Sequence, residues 1–238
     1  MDSPRDVGDL TVLNDTFRGV VAQVHCDAAI PARPFFAALA DASMQRAVFV
    51  HTQQQFEHAV EHFARPMMAL GARLERAEGR MVLASNVWDE HGRGSLSGCH
   101  GGTFRELLLR LGCGEGAIPA GAPVRAFNAA LMGVCTYEPV PLALATLAII
   151  EHLFVGISGR IGAGVVSMGW LSDDELVHYA VHEALDIAHA DALYAPIEAM
   201  WQAGHARADI RVGLKLGAHV FLRLYDDLYA DAVRACAP

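Results

Sequence analysis

Eight residues in the last third of the chain, HEALDIAH at 182–189, hold two histidines and an aspartate among apolar and small neighbours. His182 and Asp186 are four apart, and Asp186 and His189 are three apart. On an α-helix such residues stack on one face, so three groups able to bind a metal point the same way over two turns. The competing reading is a buried polar seam, each histidine satisfied by a backbone carbonyl. Either way the aspartate needs partners, because a carboxylate buried among neutral groups is costly.

Two other stretches offer them. Glu151 interrupts PLALATLAIIEHLFVGI, residues 141–157, with Leu144, Leu147, Ala148, Phe154 and Val155 as its helical neighbours. A carboxylate on so apolar a face is normally paired with a cation or bound to a metal; otherwise it stays protonated or the helix kinks to bring it out. The second stretch is DEHGRGSLSGCH, residues 89–100, which holds Glu90 and His100. On one straight helix those two would stand about 15 Å apart. They share a site only if Gly92, Gly94 and Gly98 end one helix and let another begin. Carboxylates and imidazoles without thiolate suit iron or manganese better than structural zinc.

Taken in order, Glu90 and His100 as E-x9-H, Glu151 alone in an apolar helix, and His182, Asp186 and His189 as H-x3-D-x2-H resemble the heme-oxygenase-like di-iron oxidases and oxygenases. NVWDEHGRG before His100, FRELLLRLG after it, and the 31 residues from Glu151 to His182 are in keeping with that family. The resemblance implies a helical fold holding two iron ions through these six residues, with O2 as co-substrate. Relatives perform N-oxygenation, oxidative C–C cleavage, decarboxylation to alkenes and desaturation, on amino acids or fatty acids. The same fold also houses metal-free relatives, thiaminase-like and pyrroloquinoline-quinone-synthase-like. A metal-free enzyme or ligand-binding protein is therefore the alternative. Some members add a carboxylate from the preceding helix, for which Glu57 and Glu61 are the only counterparts.

His178 and Tyr179 lie within a turn of His182 and are placed to tune a ligand by hydrogen bonding. Trp88, Phe104, Tyr137 and Phe154 are candidates for lining a substrate pocket, with Leu96 and Leu147 beside them; as apolar residues at helix spacing they also fit plain core. Arg93 and Arg160 are candidates for holding a substrate carboxylate. One competing motif stands apart: His58, Glu61 and His62 fit H-x-x-E-H, the inverted zinc-protease pattern, but the chain shows none of the alternating strands such proteases use.

The elements that must position these residues are helices. Apolar residues recur at helical spacing nearly throughout, beginning with Leu13, Phe17, Val20, Val21 and Val24. We expect residues 1–10 to form a flexible N-terminal segment, and 11–238 one all-α, heme-oxygenase-like bundle of about seven helices. Helices are expected over 35–44, 45–63, about 66–90, 104–111, 124–137 and 142–159. IGAGVVSMGW reads as a loop, Ser172 and Glu175 as a capping box opening the helix of HEALDIAH, and 206–236 as a last long helix.

Composition narrows the partners. A net charge of −9 disfavours nucleic acid and anionic membrane surfaces. Lys215 is the only lysine, which disfavours Schiff-base chemistry. Five scattered cysteines without C-x-x-C suit reduced thiols, and MDSPRDVGDL lacks the features of a signal peptide. The expected location is cytoplasmic, the expected partner a small-molecule substrate, and a homodimer is a fair expectation for a helical enzyme of this size.

Overall fold

The computed structural model describes residues 16–114, 116 and 118–237, apart from the side chains of 180–186. The expected N-terminal segment and Leu13 lie outside that description. Ten α-helices run through the described residues: α1 Phe17–Ala28, α2 Pro34–Ala40, α3 Arg46–His62, α4 Ala64–Arg73, α5 Ala77–Glu90, α6 His100–Arg110, α7 Ala122–Tyr137, α8 Val140–Ser167, α9 Tyr179–Gln202 and α10 Arg207–Ala235. No strand occurs among them.

The axis of the bundle is α8. It is apolar on nearly every side because it is enclosed on nearly every side, chiefly by α9 and α10. By length and composition it could cross a bilayer, but 67% of its most apolar window is buried inside the protein, and that burial accounts for its hydropathy. The approach of α10 to α8 depends on two glycines. A Cβ on Gly213 would fall 2.2 Å from the Leu142 carbonyl oxygen, and one on Gly217 would fall 2.5 Å from that of Thr146. The Thr146 hydroxyl reaches the carbonyls of Leu142 at 3.0 Å and Gly213 at 3.1 Å, tying the two backbones together.

Three departures from the sequence reading have local causes. The expected helix over 66–90 is broken between Arg73 and Ala77, where Nη1 of Arg80 donates to the carbonyls of Leu74 and Glu75, both at 2.7 Å. This break adds to the helix number beyond about seven. The stretch read as a loop, IGAGVVSMGW, instead continues α8 to Ser167. Its glycines serve close packing: a Cβ at Gly164 would lie 2.4 Å from Leu39, and one at Gly162 would lie 3.3 Å from Leu176. The Ser172–Glu175 capping box forms, but it caps a short 3-10 turn, and α9 begins only at Tyr179.

A second seam joins α1, α8 and α9. The His25 and His152 rings lie 4.0 Å apart, and Nδ1 of His152 is 3.2 Å from the Tyr194 hydroxyl. Burial, then the neighbouring His152, pushes His25 down from 6.5 to about 4.

Gly213→Ala is expected to destabilise the fold by about 1–3 kcal/mol, because the added methyl meets backbone that cannot rotate away; an unchanged urea midpoint would contradict this packing. As pH falls from 6.5 to about 4, the unfolded chain takes up a proton at His25 that the folded state resists, so stability declines through that window. His25→Gln is expected to flatten the decline, read as Tm against pH, and an equally steep profile in the variant would exclude His25 as its source.

Candidate metal centre

The glycine-rich break builds the first half of the site. Gly92, Arg93 and Gly94 all adopt positive φ, at 61°, 54° and 91°. A Cβ at Gly92 would collide with Gly98 at 2.3 Å, so only glycine allows the two short turns to fold onto each other. The chain thereby leaves the end of α5 at Glu90 and re-enters α6 at His100. Nδ1 of His100 lies 2.8 Å from Oε1 of Glu90, with both side chains buried. The break turns a separation of about 15 Å along a helix axis into a 2.8 Å contact.

The second half comes from α8 and α9. Glu151 is 3% exposed and His189 is 4% exposed. Glu90, Glu151 and His189 each offer a ligand atom, and these atoms lie within 4.8 Å of one another. Three helices distant in sequence thus converge two carboxylates and an imidazole on one buried point. The donor set fits a divalent iron or manganese ion. It would also neutralise carboxylates that the apolar surroundings otherwise penalise. The backbone of α9 carries His182 and Asp186, but their side chains lie outside the described residues.

His189 also has a partner that sequence reading missed. Its Nε2 is 3.1 Å from Oδ2 of Asp89, and Nε of Arg93 donates to Oδ1 of the same carboxylate at 2.6 Å. Burial alone would raise the Asp89 carboxyl, but the hydrogen bonds from Arg93 and His189 hold it below its ordinary value. A metal-binding histidine commonly gives its other nitrogen to a carboxylate, which fixes the ring. Asp89 supplies that feature. It lies 100 residues from His189, so no local pattern reveals it. Arg93, a candidate for substrate, is engaged here instead.

His178 is fully buried, and the Thr103 hydroxyl lies 3.0 Å from its Nδ1 and 3.1 Å from the His100 carbonyl oxygen. The Thr103 hydroxyl thereby links the His178 ring to the backbone at His100. Tyr179 is turned away from the metal-binding groups: its hydroxyl donates a short hydrogen bond to Oε1 of Gln53, and burial pushes it well above the ordinary tyrosine range.

Glu90, His100, Glu151 and His178 form the polar wall of a narrow cavity with about 50 Å³ of room for solvent-sized molecules. Phe56, Phe63, Phe127, Phe154 and Phe221 form most of the rest. Of the pocket residues expected from sequence, Phe154 alone lines it. Phe104 is buried behind it, 4.7 Å from the His178 ring. Trp88 sits two residues before Glu90, on the other side of α5, and lines a surface groove with Met68 and Leu83. Tyr137 ends α7 and is 88% exposed. Leu96 is exposed and Leu147 is core. Arg160 is exposed and is not part of the cavity wall. Glu57 is buried, but its Oε2 pairs with Nη2 of Arg105 at 2.7 Å, and Glu61 faces the outside.

Asp89→Asn keeps the shape but weakens the hold on His189, and is expected to lower Fe(II) affinity about 10–100-fold. Glu151→Gln is expected to abolish the rise in Tm that Fe(II) gives the wild-type protein. Equal Fe(II) affinity and equal Tm shifts in both variants would show that iron binds elsewhere.

Comparison with known proteins gives the fold and the family. A protein from Shewanella denitrificans with a heme oxygenase-like fold superposes with a TM-score of 0.75 at 14% identity, covering 98% of this chain and 97% of that one. A CADD-like protein from Nostoc punctiforme gives 0.73 at 15% identity, over 94% and 99% of the two chains. A TenA homologue from Pyrococcus furiosus gives 0.63 at 11% identity, over 93% and 98%. At these identities the likeness is one of fold. No curated protein matches the chain. Residues 50–221 match the model of a family described as iron-containing redox enzyme, a span that holds Glu90, His100, Glu151 and His189. The chain belongs to that iron-containing redox enzyme family.

Proposed function

We propose that this protein is a non-heme di-iron oxidase or oxygenase that uses O2 on a small amino-acid-like or fatty-acid-like substrate. The observation that carries the reading is the convergence of Glu90, Glu151 and His189 within 4.8 Å, with Glu90 and Glu151 on the wall of an aromatic-lined cavity. His100 adjoins Glu90, and Asp186 and His182, one and two turns before His189 on α9, complete the proposed set of six ligands. Bound iron would supply the electrons and open coordination positions for O2, chemistry that amino-acid side chains lack.

The protein's own part is to hold, orient and keep dry. Asp89, itself held by Arg93, fixes the His189 ring. Phe56, Phe154 and Phe221 pack against one another around the cavity and exclude water from it. Its small volume suits O2 and a slender hydrocarbon segment, so a larger substrate has to displace these rings as it enters. His178, its ring oriented by the Thr103 hydroxyl, lies on the same wall, a group suited to moving a proton to or from a substrate. Accordingly His178 is assigned to proton transfer rather than to holding iron. The TenA-like fold neighbour supports the scaffold alone, so the metal-free alternative has no observation of its own in the site.

The test is anaerobic loading with Fe(II) followed by mixing with O2, with and without panels of amino acids and fatty acids. The expected results are two iron ions per chain and a transient visible absorption that one substrate class accelerates. His178→Phe is expected to keep the iron and slow turnover at least about tenfold. A chain that takes up no iron and shows no transient under any of these conditions would end the proposal.

A further inference from the structure

The unused H-x-x-E-H motif leads to a second site. Along α3, residues 56, 59 and 60 face the aromatic cavity, while 58, 61 and 62 fall on the opposite side of the helix; Phe63, just past its end, lines the cavity, and Arg65, at the start of α4, lines the other side. There His58, Glu61, His62 and Arg65 meet Arg125 and Asn128 of α7 around a cleft of about 350 Å³. Unlike the cavity, this cleft is mainly polar. It holds two arginines with no ion pair among the described residues, in a chain with nine more acidic than basic side chains.

Its polar atoms are oriented and in part unsatisfied. His58 Nε2–H donates to the Ile118 carbonyl at 2.7 Å. The Asn128 amide nitrogen donates to the His58 carbonyl at 3.1 Å, which fixes the amide orientation. Oδ1 of Asn128 is thereby an acceptor, buried and without a hydrogen-bond partner among the described residues. Burial, then the nearby Arg65, holds His62 below the ordinary histidine range, so its ring is neutral near pH 7. The start of α7 has no side-chain cap, so the positive end of that helix opens beside Arg125.

The cleft lining sets two guanidinium groups, Arg65 and Arg125, near the start of α7, and adds one carboxylate, Glu61, and the Asn128 side chain, which call for a donor with positive charge. Two arginines beside the histidines make this a poor metal site, and the carboxylate of Glu61 makes it a poor site for a bare anion. We propose that this cleft binds a zwitterionic α-amino acid: its carboxylate on Arg65 and Arg125, its ammonium on Asn128 Oδ1 and Glu61. The site lies across α3 from the cavity and does not depend on iron.

The test is calorimetric titration of the intact protein in phosphate-free buffer with L-alanine, acetate, methylammonium and inorganic phosphate. L-Alanine is expected to bind, and acetate and methylammonium at least about tenfold more weakly, since each loses one set of charged hydrogen bonds. Arg125→Gln and Arg65→Gln, both on exposed side chains, are each expected to weaken L-alanine about tenfold or more with an unchanged circular-dichroism spectrum. Glu61→Gln is expected to erase the preference for L-alanine over acetate. Binding is expected to persist in Glu151→Gln, so failure of the iron reading leaves this test intact. No saturable L-alanine binding, phosphate binding as tight as L-alanine, or affinity unchanged in both arginine variants would overturn the proposal.

Discussion

Two carboxylates are held close together in the hydrocarbon interior of this molecule. Oxygen atoms of Glu90 and Glu151 come within 4.8 Å of each other, with both side chains buried. Two like charges at that separation repel by roughly 3–4 kcal/mol even at an effective dielectric of 20, before any cost of leaving water. Only a proton or a cation relieves that arrangement. No lysine is near, since Lys215 is alone on α10, and the nearby arginine, Arg93, is spent on Asp89. Imidazoles from His100 and His189 stand beside the acids without displacing them from the interior. A divalent ion would satisfy carboxylates and imidazoles together, and iron, which the family's description names, is the occupant we propose.

The scaffold reads as the means of imposing that arrangement. Glu151 stays inside because α8 is enclosed, and α8 is enclosed because Gly213 and Gly217 let α10 lie against its backbone. Glu90 and His100 meet because Gly92, Arg93 and Gly94 accept left-handed conformations. His189 is aimed by Asp89, which belongs to the same turn of α5 as Glu90. Thr103, one turn into α6, orients His178 while bonding the carbonyl of His100. Each device is rigid backbone or a short hydrogen-bonded chain, so small errors of placement have little freedom to develop.

Much of this was legible in the residues. Helical periodicity gave the fold class, because apolar spacing follows directly from which side of a helix is buried. A lone glutamate in an apolar run marked Glu151, since burial of charge demands a reason. The glycines of 92–98 marked a break, and that break brings Glu90 to His100. What the sequence hid were contacts between distant segments. Asp89 reaches His189, and Arg80 captures the carbonyls of Leu74 and Glu75 just past the end of α4; neither follows from local spacing. Gly162 and Gly164 looked like loop residues, because a glycine needed for close packing is indistinguishable in one dimension from a glycine needed for a turn. Trp88 and Tyr137 are near the site in sequence but on the wrong side of their helices, so proximity along the chain misled where angular position decides. His182 and Asp186 are legible in sequence alone, as their side chains fall outside the described residues.

The claim that buried acids and imidazoles converge to hold iron is tested most directly by anomalous diffraction at the iron edge from crystals grown with Fe(II). The expected result is one peak held by Glu90, Glu151 and His189 and a second beside it. Crystals with no peak inside the bundle, or with iron only at the His58–His62 cleft, would contradict it.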